Sequence, residues 1–283
     1  MIAINAPTSR SGSLAITDVT IRLGRGAAAF DVVDGIRLAI PARQFVCLLG
    51  PSGCGKSTLL GALAGHLVPS RGSVGLDGEA VSGPHPERGI VFQQHTLLPW
   101  KRVIDNVAFG PKMRGLPRAE RLARARAYLA LVGLADFADR YPAELSGGMQ
   151  QRAEIARVLI NEPRVLLMDE PFGALDAQTR LMMQELLLDV WTRLPTTVVF
   201  VTHDIDEALF LGDRVLVMSA RPGRILEDIP LGFARPRARD LVADPDFIAL
   251  KRHCLDLLRS RDGQPSLPRL TPLGLPGMPV GAA

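Results

Sequence analysis

Gly50-Pro51-Ser52-Gly53-Cys54-Gly55-Lys56-Ser57-Thr58 decides the fold of this chain. Before it lies an apolar run of strand length, Phe45-Val46-Cys47-Leu48-Leu49, and after it Lys56 to Leu67 reads as a helix rich in Leu, Ala and Ser. A strand, a turn with G-x-x-x-x-G-K-S spacing and a helix are the parts of a phosphate-binding loop. The glycines let backbone N–H groups turn inward on phosphate oxygens, and the helix N-terminus adds its positive dipole end. In that reading Lys56 reaches the β- and γ-phosphates of a nucleotide and the Ser57 hydroxyl ligates Mg²⁺. A glycine-rich turn that binds nothing is the competing reading; the full spacing in its strand-to-helix context argues against it.

Further along, Val165-Leu166-Leu167-Met168 is a second buried-strand pattern, ending in Asp169-Glu170. An acid at the carboxyl end of such a strand sits beside the metal of a nucleotide site. Asp169 is the candidate Mg²⁺ ligand, partly through water, and Glu170 the candidate group that polarises the attacking water. In isolation the pair could equally cap the turn at Pro171; downstream of a phosphate loop it completes a site. Leu145-Ser146-Gly147-Gly148-Met149-Gln150-Gln151 opens a helical pattern that runs to about Ile160. Free N–H groups and a hydroxyl there face outward and suit an anion. Taken alone, Ser146 followed by two glycines is also an ordinary helix cap.

These motifs stand in order with Gln93 after Ile90-Val91-Phe92, Ala174-Leu175-Asp176 after the acid pair, and His203 after Val198-Val199-Phe200-Val201-Thr202. The set resembles the ATP-binding cassette superfamily, whose signature motif, absent from other P-loop enzymes, is matched by Leu145 to Gln151. The resemblance implies an α/β fold, a P-loop nucleotide-hydrolase core with a mostly parallel sheet, antiparallel strands on the N-terminal side and an inserted helical lobe. It gives Gln93 the role of sensing Mg²⁺ and the attacking water, Asp176 a place at a dimer seam, and His203 contact with the γ-phosphate. It also implies that two copies pair head to tail, so that each ATP lies between Lys56 of one and Ser146-Gly147-Gly148 of the other. One position departs from the pattern. The family stacks adenine on an aromatic residue before the phosphate loop, nearest Ala27 by count, but Leu23 to Phe30 offers only Phe30. Phe30 is either that platform or a plain core residue.

Length and composition limit the alternatives. The 283 residues suffice for one large domain or a core with a smaller lobe, and not for tandem cassettes fused to a membrane domain. No run of eighteen apolar residues occurs, and the first ten residues lack a signal-peptide core, so the expectation is a cytosolic protein, peripheral at most. Cys47, Cys54 and Cys254 form no metal-ligand spacing and fit a reducing compartment. Cys54, at a helix start beside Lys56, is expected to have thiolate character. Arg118, Arg121, Arg124 and Arg126 form the solvated face of a helix whose Leu122, Ala125 and Leu129 point inward, and no aromatic residues are interleaved with them, so nucleic acid is not expected as a partner.

Strand signals occupy residues 14 to about 92, helical periodicity replaces them in a lobe at about 98–160, and strands alternate with helices from Arg164 to about Ile229. The domain is expected over residues 14–261. Residues 1–13 and the Pro/Gly-rich stretch 262–283 read as flexible ends.

Within the superfamily, Leu97-Leu98-Pro99-Trp100 with Asp105-Asn106-Val107-Ala108-Phe109-Gly110, Glu170 to Asp176, and Thr202-His203-Asp204-Ile205-Asp206-Glu207-Ala208 resemble importer ATPases of the nitrate, sulfonate and taurine group. Leu231-Gly232-Phe233-Ala234-Arg235-Pro236-Arg237 leans toward taurine. The resemblance implies transmembrane permease subunits and, indirectly, an extracytoplasmic solute-binding protein as partners, at the cytoplasmic face of a bacterial inner membrane. Nitrate and pyrimidine precursors are the neighbouring solutes. Trp100 is equally a buried anchor of the lobe or a contact for the permease. A soluble cassette of repair or translation would carry an interrupting coiled coil, zinc segments or a second cassette; an exporter half would carry fused spans; a P-loop kinase would lack the signature motif.

Overall fold

The strand that leads into the phosphate loop is apolar at every position because both faces of its sheet are covered. In the computed structural model, which describes residues 12–259 except Pro195, β3 (Phe45–Leu49) turns Phe45, Cys47 and Leu49 into one hydrophobic cluster and Val46 and Leu48 into the other. This is the period-two alternation of a strand. The six-stranded sheet has the order β10-β9-β3-β8-β7-β6. Its members β6 (Arg88–Val91), β7 (Val165–Asp169), β8 (Thr197–Thr202), β3 and β9 (Arg214–Met218) run parallel, and β10 (Ile225–Pro230) closes one edge antiparallel to β9.

A second, antiparallel sheet, β2-β1-β4-β5, is built from β1 (Leu14–Leu23), β2 (Phe30–Ile40), β4 (Arg71–Leu76) and β5 (Glu79–Ala80). The helix after the phosphate loop, α1 (Lys56–Ala64), shares a core with this sheet and with one face of the large one. It is shorter than its sequence suggests: Gly65 adopts φ 84° and its N–H bonds back to the Ala62 carbonyl, stopping the helix before Leu67. Gly12 and Ser13, assigned from sequence to a flexible end, donate backbone N–H bonds to the Asp77 carboxylate. Residues 1–11 and the expected tail 262–283 lie outside the described residues.

Between β6 and β7 the chain leaves the sheet for α2 (Val103–Val107), α3 (Phe109–Met113), α4 (Arg118–Leu131) and α5 (Gly147–Leu159). On α4, Ala125, Tyr128 and Leu129 are buried and Leu122 packs against them, while the arginines stay on the outer side, as the periodicity requires. Fully buried Asn106 accepts the Leu98 N–H at 2.7 Å and donates to the carbonyls of Leu98, Lys101 and Arg102. That clamp fixes the Leu97-to-Trp100 loop with Leu97 inward and Trp100 71% exposed. The remaining helices α6 (Ala177–Arg193), α7 (Ile205–Leu211) and α8 (Pro245–Arg259) contribute to the core on the other face of the large sheet.

The order of strands assembles the motifs. Gln93 follows β6, Asp169-Glu170 ends β7, His203 follows β8 and Gly50 follows β3, so four neighbouring parallel strands deliver them at one edge, outside their carboxyl ends.

Candidate nucleotide site

The phosphate loop needs glycine at its last turn. Gly55 takes φ 103°, and a Cβ there would sit 2.9 Å from Val33 Cγ2 and 3.0 Å from the Val32 carbonyl oxygen. Lys56 follows directly, only 4% exposed, with its ammonium donating to the carbonyls of Gly50 and Pro51 at 2.8 and 2.9 Å. Those bonds hold the lysine on its own loop, 3.7 Å from Glu170 Oε1. Ser57 donates to Asp169 Oδ1 at 2.8 Å, which joins the loop to the end of β7. Burial raises the Asp169 carboxyl above its ordinary value, the Ser57 hydrogen bond opposes this, and the neighbouring Glu170 adds to it.

Glu170 stands in the left-handed region at φ 42°, a conformation that costs an ordinary residue about 1–3 kcal/mol. Its N–H bonds to the Val201 carbonyl at 3.0 Å and its carbonyl accepts the Gly173 N–H, so a tight turn imposes the geometry. The turn aims Oε2 at His203 Nδ1, 2.9 Å away; an imidazole with its proton on Nδ1 donates this bond. Gln93 belongs to the same cluster, since its amide nitrogen lies 3.7 Å from where a Cβ on Gly173 would be. Lys56, Ser57, Asp169, Glu170, His203 and Gln93 therefore converge.

Ser146-Gly147-Gly148 and Asp176 form a separate group. Ser146 caps α5 by accepting the Met149 N–H, and Asp176 caps α6 by accepting the Thr179 N–H at 3.0 Å. That bond, made by the Thr179 side chain as well, holds the exposed Asp176 carboxyl below its ordinary value. The two caps are packed together: a Cβ on Gly148 would lie 2.6 Å from Thr179 Cγ2. The nearest atoms to Gly147 belong to His95 and Leu175 and not to the phosphate loop.

Three sequence expectations change. Cys54 lies inside the loop and 1% exposed, and burial raises its thiol despite the partial counteraction of Lys56, so it lacks the thiolate character its position suggests. Phe30 is not a core residue: it is 43% exposed at the start of β2, with the Arg221 guanidinium 5.2 Å over its ring. Arg221 also donates to the Gly53 carbonyl at 3.1 Å, which sets Phe30 beside the phosphate loop. Trp100 is not a buried anchor of the lobe.

Other supporting residues carry no local signal. Glu154, 2% exposed on α5, accepts the Thr96 N–H and, at 3.1 Å, its hydroxyl, while Arg157 donates to the Thr96 carbonyl at 2.8 Å. Together they fasten the segment after Gln93 to the signature helix. A charged residue among the apolar positions of α5 was the one available clue to Glu154.

A phosphate loop, an acid pair two strands away and a histidine on the strand between them define a P-loop nucleoside triphosphatase. The sequence profile of the ABC transporter family matches residues 33–173. The chain is 53% identical over 246 residues to the taurine import ATP-binding protein TauB of Rhizobium johnstonii, an alignment covering 85% of this chain and 93% of that protein. It is 49% identical over 227 residues to the uncharacterized ABC transporter ATP-binding protein MJ0412 of Methanocaldococcus jannaschii, covering 80% and 84%. Among solved structures, the dimeric post-hydrolysis state of the ATP-binding cassette MJ0796 bound to ADP and Pi superposes with a TM-score of 0.68 at 32% identity, over 78% of this chain and all of that one. The chain belongs to the ATP-binding cassette family, and it is an ATPase.

Proposed function

We propose that this chain is the ATP-hydrolysing subunit of an importer for taurine or a related aliphatic sulfonate, working as a pair of identical copies beneath permease subunits at the cytoplasmic face of a bacterial inner membrane. An extracytoplasmic solute-binding protein would supply the permease. The observation that carries the reading is the 53% identity to a taurine import ATP-binding protein over 85% of the chain.

The geometry supports the following roles for the residues. The loop between Gly50 and Thr58 binds the phosphates through its backbone N–H groups, those of Ser52, Gly53, Cys54, Gly55, Lys56, Ser57 and Thr58 among them and Pro51 having none, and Lys56 turns from the Gly50 and Pro51 carbonyls to the β- and γ-phosphates. Ser57 and Asp169 fit Mg²⁺, being hard oxygen donors already in contact; among the described residues no cluster of three or more His, Cys, Asp or Glu forms an all-protein metal cage. Held there, such an ion would supply charge neutralisation to a bound nucleotide. Glu170 accepts the proton of the attacking water, His203 orients that carboxylate and reaches the γ-phosphate, and Gln93 completes the water's surroundings. Ser146, Gly147, Gly148 and Asp176, lying apart from this cluster, serve the nucleotide held by the other copy. Phe30 offers its exposed face to adenine when Arg221 gives way.

Trp100, 71% exposed on the loop after β6, is the apolar residue offered to a short permease helix. Growth of a host lacking this chain tests the reading. With taurine as sole sulfur source it should fail, and a restored copy should rescue it; normal growth on taurine with failure on longer sulfonates or nitrate would move the solute, and normal growth on all would overturn the importer role for this class of anion.

A further inference from the structure

Behind His203 lies a buried carboxylate that the hydrolytic scheme does not use. Glu207, on the first turn of α7, is 5% exposed, as is Gln184 on α6, and Thr202 at the end of β8 is 2% exposed. Gln184 Nε2 donates to Glu207 Oε1 at 3.0 Å, and the Thr202 hydroxyl donates to Oε2 at 2.6 Å. The same hydroxyl accepts the Asp204 N–H at 3.0 Å. His203 is thus the residue between two whose positions are set through Glu207. The carboxylate also lines the small crevice that contains Glu170, His203 and Arg180.

We infer that Glu207 is a positioning residue for hydrolysis: it fixes the Thr202-to-Asp204 segment so that His203 meets Glu170, and it ties that segment to α6. Burying a carboxylate is costly unless its oxygens are satisfied, and burial does push this carboxyl above its ordinary value against the opposing bonds from Thr202 and Gln184. The charged groups facing it are Asp204 and Arg180; the latter contacts Asp204 at 3.5 Å and donates to the Leu175 carbonyl at 3.1 Å. The helix that Gln184 occupies is capped by Asp176, so the same element touches both Asp176 and, through Glu207, the loop that carries His203.

The inference rests on the proposed role of His203, and a double-mutant cycle on the full chain separates the two. Glu207→Ala is expected to lower kcat for ATP about tenfold while KM for ATP stays within about twofold. In a His203→Ala background the same substitution is expected to cost less than about twofold, because its effect runs through the imidazole. Glu207→Gln should restore most of kcat, since its carbonyl can accept from Gln184 and its amide can donate to Thr202. Gln184→Leu removes only the α6 bond; it should show the same dependence on His203, and it serves if Glu207→Ala does not fold. Equal losses in both backgrounds would overturn the strut alone. An unchanged kcat for His203→Ala by itself would overturn the role of His203 and the inference with it.

Discussion

Glu170 has two partners in the same chain, the Lys56 ammonium and the His203 imidazole, and it occupies a backbone conformation chosen by its turn. Removing its charge while keeping its shape isolates proton acceptance from binding. Glu170→Gln should lower kcat by about two to four orders of magnitude with ATP affinity retained, measured by steady-state hydrolysis and nucleotide binding. It should also run as an ATP-dependent dimer in size-exclusion chromatography; hydrolysis at the parent rate would exclude it as the base. Cys54 makes the opposite point. Its place in the loop suggests a reactive thiol, but its sulfur is enclosed beside Gly50 and Met218. In native protein it should label with a thiol reagent no faster than buried Cys47 and Cys254, and ATPase activity should survive. At this scale, the residues legible in the sequence were those set by motif spacing. Those missed, Glu154 and Glu207, act through burial, which a linear pattern does not record. Glu207 was further disguised because Asp204 and Glu207 stand at the spacing of a helix-capping box, and the Glu207 N–H does bond to Asp204.

Elements were legible where their period was undisturbed. The motif strands fall where short apolar runs put them and α4 where helical spacing does; α1 ends early because Gly65 can take a left-handed turn that the preceding apolar residues do not forecast. On α4, Tyr128 is buried with its hydroxyl lacking a hydrogen-bond partner among the described residues, and burial pushes its phenol from 10.0 up to about 12. The folded state therefore holds this proton more tightly than the unfolded chain. Its contribution to stability is complete below pH 10, and it falls away as pH rises from about 10 to about 12. Tyr128→Phe keeps the ring and removes the titration. Chemical denaturation should find the variant at least as stable as the parent near neutrality and less weakened across that alkaline interval. A parallel decline in both proteins would mean that the phenol is not the titrating group.

Over the whole molecule, the parallel strands bring the residues proposed for hydrolysis to one edge, while the helical lobe carries Ser146-Gly147-Gly148 to the start of α6. The sequence disclosed this division because the signature motif falls after the helical stretch. It did not disclose where Trp100 points, since a Trp beside leucines is read as readily inward as outward; Asn106 decides it by pinning the loop. Trp100→Ala should leave hydrolysis by the isolated protein within about twofold of parent, as an exposed residue outside the site. In vesicles containing the permease it should abolish solute-stimulated hydrolysis and uptake. Loss of basal activity as well would place Trp100 in the fold instead.

The chain has only two tryptophans, and they differ in surroundings. Trp191 is half-buried against the core, with its indole N–H bonded to the Thr196 carbonyl at 2.7 Å, Phe45 against its edge and the Arg235 guanidinium 4.5 Å over its ring. Trp100 faces solvent. The molecule thus contains a natural optical gauge: a steady, partly shielded emitter held against the core and a water-exposed one on the surface, whose light would shift to shorter wavelength as a docking partner displaces the water around it.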